Sequence, residues 1–183
     1  MRLSEPRVPP LTDAELGDDA REYLQQGQPE FRGLNVFRTL ARHPKLAKAF
    51  RGLGRHILQE NTMPARQREL LILRTGWLCR AEYEWGRHVM FAESSGVTDQ
   101  EIERVKGGPE ADGWDDADVA LLRAADELHN DAFISDATWK ALSERFSTQQ
   151  LMDVIFTVGQ YHLVSMALNT LGVQLEEGVK GFE

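Results

Sequence analysis

Helix-start signals recur along this chain, and they constrain its fold more tightly than its composition does. In Leu11-Thr12-Asp13-Ala14-Glu15-Leu16 a threonine stands at a cap position and a glutamate follows three residues later. Leu11 and Leu16 there are spaced as a hydrophobic staple. Val97-Thr98-Asp99-Gln100-Glu101-Ile102 and Phe146-Ser147-Thr148-Gln149-Gln150-Leu151 repeat the arrangement in full. Trp114-Asp115-Asp116-Ala117-Asp118-Val119 and Ile134-Ser135-Asp136-Ala137-Thr138-Trp139 repeat it in part. Pro44 and Pro64 suit the first turns of two further helices, while Gly96 and Gly107-Gly108 read as stops. No alternating strand pattern of useful length competes, and no Asn-Gly or Asp-Gly hairpin joins two β-branched runs. The pattern predicts an all-α chain.

At 183 residues the chain is long enough for one domain with a sizeable buried core. Residues 1–34 read as an N-terminal arm and first helix, and residues 35–183 as the helical domain proper. The Pro-rich first ten residues and the Gly107 to Gly113 turn are the two expected flexible pieces. With 21 Lys and Arg against 29 Asp and Glu, the net charge is −8, and no basic cluster is long enough to track a phosphate backbone. Nucleic acid is not an expected partner. No apolar run approaches the roughly 20 residues of a membrane span, and the N-terminus lacks the apolar centre of a secretion signal. A soluble cytoplasmic protein without membrane contacts is therefore expected. The single cysteine, Cys79, excludes an intrachain disulfide and a Cys-x-x-Cys pair.

Three ionisable groups stand where apolar ones would be expected. On a helix from about Pro64 to Cys79, wound at about 100° per residue, Glu69 shares its side with Leu70, Ile72, Leu73, Gly76 and Trp77. Arg68, Arg74 and Thr75 fall opposite. On the next helical stretch Glu84 and His88 are one turn apart and share a face with Ala81, Trp85, Phe91 and Ala92. Buried charges are costly unless paired, so two carboxylates and an imidazole on inward faces suggest a polar site inside a helical core. A closed cavity beside them favours an enzyme, and a solid salt bridge favours a structural element.

The segments Asn35 to Pro44, Pro64 to His88, Gly159 to Val164 and Leu168 to Val173 resemble the carboxymuconolactone decarboxylase family, which also contains the alkylhydroperoxidase-D proteins. The resemblance runs from about Asn35 to Val173 and is densest from Arg68 to His88. It implies a helical fold, assembly as a homo-oligomer (dimer, trimer or hexamer), and an active site beside the Glu and His of the motif. The redox branch carries Cys-x-x-Cys-x-x-x-His with a Glu twelve residues before the first Cys. Here Glu69 and His88 match the outer positions, but Ala81 and Glu84 stand where the cysteines would be. Thiol peroxidase chemistry needs an attacking thiolate and a resolving thiol, so a peroxidase or peroxiredoxin activity would be a family inheritance only.

The remaining chemistry is proton transfer. The decarboxylase branch removes carbon dioxide from a γ-lactone acid, and no metal or organic cofactor is part of the resemblance. Glu69, Glu84 and His88 are the catalytic candidates, with His88 donating the proton, Glu69 orienting or protonating it and Glu84 tuning the pair. Trp77, Tyr83 and Trp85 are candidate walls of a pocket for a small carboxylated or phenolic ring compound. His162 and Asn169 are candidate polar contacts from the C-terminal helix. Each has a plainer counterpart: an i to i+4 helix pair for Glu84 and His88, a buried partner for Arg38 or Arg87 at Glu69, structural hydrogen bonding for His162 and Asn169, and apolar packing for Cys79. No cofactor is expected. A metal held by Glu84, His88 and His162 lacks a recognised ligand spacing, so no metal site is expected either. The third reading is a non-catalytic helical assembly that kept the fold and lost the chemistry.

Overall fold

The computed structural model describes residues 1–182, and among them every regular element is helical. In chain order these are α1 (Asp18–Gln25), α2 (Asn35–Leu40), α3 (Pro44–Arg55), α4 (Ala65–Leu78), α5 (Glu82–Ala92), α6 (Asp99–Gly107), α7 (Asp116–Asp131), α8 (Asp136–Ser143) and α9 (Thr148–Leu171), with short 3₁₀ and π turns between them. Thr98, Asp115, Ser135 and Ser147 cap α6, α7, α8 and α9, each side chain accepting from the amide three residues on. Such caps contribute about 1 kcal/mol each. Thr12 differs. Its amide donates to Glu15 at 2.8 Å, but only the 3₁₀ turn Asp13–Glu15 follows. Leu16 turns extended there, and Gly17 caps α1 afresh. Pro44 opens α3, whereas Pro64 stands one step earlier than expected, as the N-cap of α4.

The centre of the molecule is α4, which packs against α5, α6, α7 and α9. Every residue from Glu69 to Gly76 is buried. The one-sided reading of this helix is thereby corrected: Arg74 and Thr75 do not face solvent, because neighbouring helices enclose α4 on all sides. Their polar groups are satisfied internally. Thr75 Oγ1 donates to the Leu71 carbonyl at 2.7 Å, and Arg74 forks onto Asp126 at 2.6 and 2.8 Å. Its remaining nitrogen donates to the Val105 and Lys106 carbonyls at 2.9 and 3.0 Å.

Both segments expected to be flexible are held by hydrogen bonds. The amides of Arg7 and Val8 donate to the Leu171 carbonyl at 2.9 and 3.1 Å, and Arg2 reaches the Cys79 carbonyl at 3.1 Å. The Gly107 to Gly113 segment contains a 3₁₀ turn, Gly108–Glu110. Gly108 has φ +73°, and the Arg74 guanidinium lies where its Cβ would be, so the site needs glycine for conformation and for space. Residues of the arm, Leu11, Ala20, Tyr23 and Leu24, form one apolar cluster with Ala41 and Ala47.

The last helix shows a second departure from the sequence reading. At 24 residues α9 is long and apolar enough by composition to cross a membrane, although more than half of its most apolar window is buried inside the molecule. Leu151, Val154, Val158, Tyr161 and Leu168 face the core, and Met152, Phe156, Leu163 and Met166 are exposed. It is a core helix with an apolar outer face.

Candidate active site

Glu69 stands near the middle of α4, and the chain reverses just after that helix. Arg80 adopts φ +51°, and the Ala81 amide donates back to the Gly76 carbonyl at 2.9 Å. The turn lays α5 along α4, so that Glu84 and His88, one turn apart, face Glu69. His88 Nδ1 lies 2.7 Å from Glu69 Oε2, and His88 Nε2 lies 2.9 Å from Glu84 Oε1. A carboxylate can only accept, so a ring with a carboxylate at each nitrogen is held doubly protonated. The three residues are 2%, 6% and 6% exposed for Glu69, Glu84 and His88. Burial pulls the imidazole pKa down, but Glu69 and then Glu84 outweigh it and push it up to about 10.

A second cation completes the cluster. Arg68 Nη2 lies 3.6 Å from Glu69 Oε1, so two positive groups face two negative ones. Arg68 Nε is buried and donates to nothing. Two rings enclose the imidazole, Tyr161 edge-on at 5.0 Å between centroids and Phe91 at 5.8 Å. Burial, then Glu84 and Glu69, hold the Tyr161 hydroxyl well above its usual pKa of 10, so it stays a neutral phenol.

The triad is buried, and two hollows of the molecule lie away from it. A hollow of about 520 Å³ is lined by Leu11, Glu15, Asp18 and Arg42, and one of about 350 Å³ by Asp116, Arg123, Glu127 and Thr138. Neither is lined by Glu69, Glu84 or His88.

The structure brings the three catalytic candidates together and places the five binding candidates elsewhere. Trp77 and Trp85 stack on each other at 5.4 Å and on Phe182 at 5.1 and 5.8 Å. Tyr83 donates to Glu176 at 2.7 Å. His162 lies 3.2 Å from His129, and Asn169 donates to the Cys79 carbonyl at 2.9 Å. Of the arginines weighed as partners for Glu69, Arg38 pairs with Asp13 and Arg87 with Glu176; the partner is Arg68. Sequence reasoning missed Arg68, Tyr161 and His129. Arg68 precedes Glu69 and was assigned to the opposite face, although a long side chain can wrap around a helix. Tyr161 adjoins His162, but α9 is apolar over most of its circumference, so no face could be singled out.

The carboxymuconolactone decarboxylase family model matches residues 44–127. Over that segment the chain is similar to members of this family. That segment contains Glu69, Glu84 and His88, whereas Tyr161 and the rest of α9 lie outside it. The fold is that of alkylhydroperoxidase-D-like proteins. An alkylhydroperoxidase AhpD core, an uncharacterized peroxidase-related protein from Ralstonia eutropha, is 21% identical, with 94% of this chain and 93% of that one covered and a TM-score of 0.80. A peroxidase-related protein from a Silicibacter species is 16% identical over 97% of each chain, with a TM-score of 0.79. A variant of the debrominase Bmp8, in complex with 2,3,4-tribromopyrrole, is 17% identical over 95% of this chain and 94% of that one, with a TM-score of 0.75. No curated protein matches the chain.

The raised His88 pKa makes stability depend on pH. With a folded value of about 10 against an ordinary 6.5, the contribution is fully present below pH 6.5 and is lost as pH rises through about 10. Calorimetric melting at constant ionic strength should show a fall in Tm across this window, and His88→Gln should lack that part of the slope.

Proposed function

We propose that this chain is a carboxymuconolactone-decarboxylase-like, cofactor-independent lyase or isomerase that moves a proton to or from a small carboxylated or phenolic ring compound. The observation that carries the reading is the buried Glu69–His88–Glu84 chain beside Arg68, whose Nε has no partner. Four ionisable groups inside a helical core are expensive to desolvate, and an orphaned guanidinium donor among them suits an incoming carboxylate. In a decarboxylation the carbon–carboxylate bond breaks and its electron pair passes to the ring carbon. That carbon is a far stronger base than imidazole, so His88 can protonate it even with a pKa of about 10. Glu69 and Glu84 then stabilise the ring orientation and allow reprotonation from solvent. The small aromatic ligand of the debrominase Bmp8 agrees in size with such a substrate.

Thiol peroxidase activity has less support. Cys79 is the one cysteine, and its polar neighbours are His129, with Sγ to Nδ1 at 3.8 Å, His162 and Ser165, and not the Glu69–His88 pair. One observation favours the non-catalytic reading: both imidazole nitrogens are saturated, and neither of the two hollows described above opens onto them. On the proposed reading the substrate displaces part of this packing when it enters.

The two readings separate in the variants. Against a panel of carboxylated γ-lactones and phenolic acids, with carbon dioxide release as the readout, His88→Asn and Glu69→Gln should fold and lose on the order of 10²-fold or more in turnover. A loss of about 3–5 kcal/mol in stability without any turnover to lose is what a structural ion pair gives when one partner is removed, and it would contradict the catalytic role.

The same reading includes self-assembly. Met152, Phe156, Leu163 and Met166 leave an apolar strip on α9 open to solvent, of the kind that another subunit covers. Light scattering at micromolar concentration should give a multiple of the 20.7 kDa chain mass; a stable monomer would contradict it.

A further inference from the structure

The end of α4, the last turn of α7 and the middle of α9 meet at a second cluster of ionisable side chains. Cys79 follows α4 as its C-cap, His129 lies on α7 and His162 on α9, and all three are partly buried. One ligand atom from each of the three lies within 4.8 Å of the other two, and His129 Nδ1 is near both Cys79 Sγ and His162 Nε2. We infer that these three atoms form a binding site for a divalent ion of the zinc class.

The separations fit such an ion. Tetrahedral zinc holds imidazole nitrogen at about 2.0–2.1 Å and thiolate sulfur at about 2.3 Å, which sets the nitrogen–nitrogen edge near ~3.3 Å and the nitrogen–sulfur edge near ~3.6 Å. The observed edges are 3.2 Å between His129 Nδ1 and His162 Nε2, and 3.8 Å between His129 Nδ1 and Cys79 Sγ. A single ring nitrogen, His129 Nδ1, serves both edges, as it must if each residue gives one ligand atom. One thiolate with two imidazoles selects zinc, cobalt or copper over magnesium or calcium, which prefer oxygen. Three protein ligands leave a fourth position for water or a small donor, and the partial exposure of all three admits one.

The surroundings are built for the same purpose. Asn169 and Arg2 both donate to the Cys79 carbonyl, at 2.9 and 3.1 Å, and fix the turn that carries the sulfur. Ser165 is fully buried, and its hydroxyl has the Cys79 thiol as its polar neighbour and no other hydrogen-bond partner. A hydroxyl there favours the thiolate form of Cys79 that binds a metal, an outer contact of the kind that orients metal ligands. His162, Ser165 and Asn169 are spaced three and four residues apart and so share one face of α9. Tyr161, on a different face, points to His88. The two sites are therefore distinct, and this inference does not rest on the proposed proton transfer.

Titration of the tag-free, chelator-stripped full chain with Co²⁺ tests the site. Saturable binding of one equivalent should give a sulfur-to-cobalt charge-transfer band and tetrahedral visible bands, both removed by added Zn²⁺. Cys79→Ser should abolish the charge-transfer band, and His129→Ala and His162→Ala should each weaken Co²⁺ binding by about tenfold or more. His56→Ala, which removes an imidazole outside the cluster, should leave the titration unchanged. Circular dichroism monitors folding, and His162→Gln replaces any alanine variant that fails to fold. Absence of saturable Co²⁺ binding to the wild-type chain would overturn the inference, as would a charge-transfer band that survives Cys79→Ser or an affinity indifferent to both histidines.

Discussion

The clamp of two carboxylates on one buried imidazole ties α5 to α4 at the centre of the molecule. Each His88 nitrogen faces a carboxylate oxygen at hydrogen-bond distance, which favours the charged ring, and the charged ring in turn offsets the burial of the two carboxylates. Removing any one member strands the others without solvent. The clamp also joins two helices across the turn at Arg80, so the register of α5 on α4 is set by charge as well as by packing. Arg68 restores neutrality from the same helix as Glu69, and the cluster adds no net charge to the core.

The same rule governs the other polar groups around α4. Arg74 is 7% exposed and uses its guanidinium on Asp126 and two backbone carbonyls. Asp118, 1% exposed, is forked by Arg66 at 2.6 and 3.0 Å. Asp153, 6% exposed, accepts from Thr62 and His56. In each of these an ion reaches the interior together with its partners, which turns a large desolvation cost into a specific cross-helix tie. Arg68 Nε, by contrast, is buried without a partner beside the triad, and that is the observation behind the proposal that the triad binds substrate.

Much of this was legible in the sequence, and the failures have physical causes. Helix starts were readable where a side-chain cap acts locally, as at Thr98, Asp115, Ser135 and Ser147. Thr12 misled because its box forms without any helix to follow it. Glu69, Glu84 and His88 were recognisable because their spacing places them on faces that α4 and α5 turn to each other. The amphipathic reading failed for Arg74 and Thr75, since a helix enclosed on every side has no polar face to find. The rings of Trp77, Tyr83 and Trp85 lie away from the triad although they are close to it in sequence, because a step of one residue on a helix rotates a side chain by about 100°. The Cys79, His129 and His162 cluster depends on three helices far apart in sequence, and no local signal announces it.

The charge state of His88 is the point on which the account turns. Nitrogen NMR of histidine-labelled protein reads it directly, since the two ring nitrogens of an imidazolium have similar shifts and those of a neutral tautomer differ widely. The account predicts that His88 shows both nitrogens protonated at neutral pH and loses a proton only near its raised pKa of about 10, with Glu84→Gln moving that transition down. A neutral His88 tautomer at pH 7 in the folded protein would contradict it.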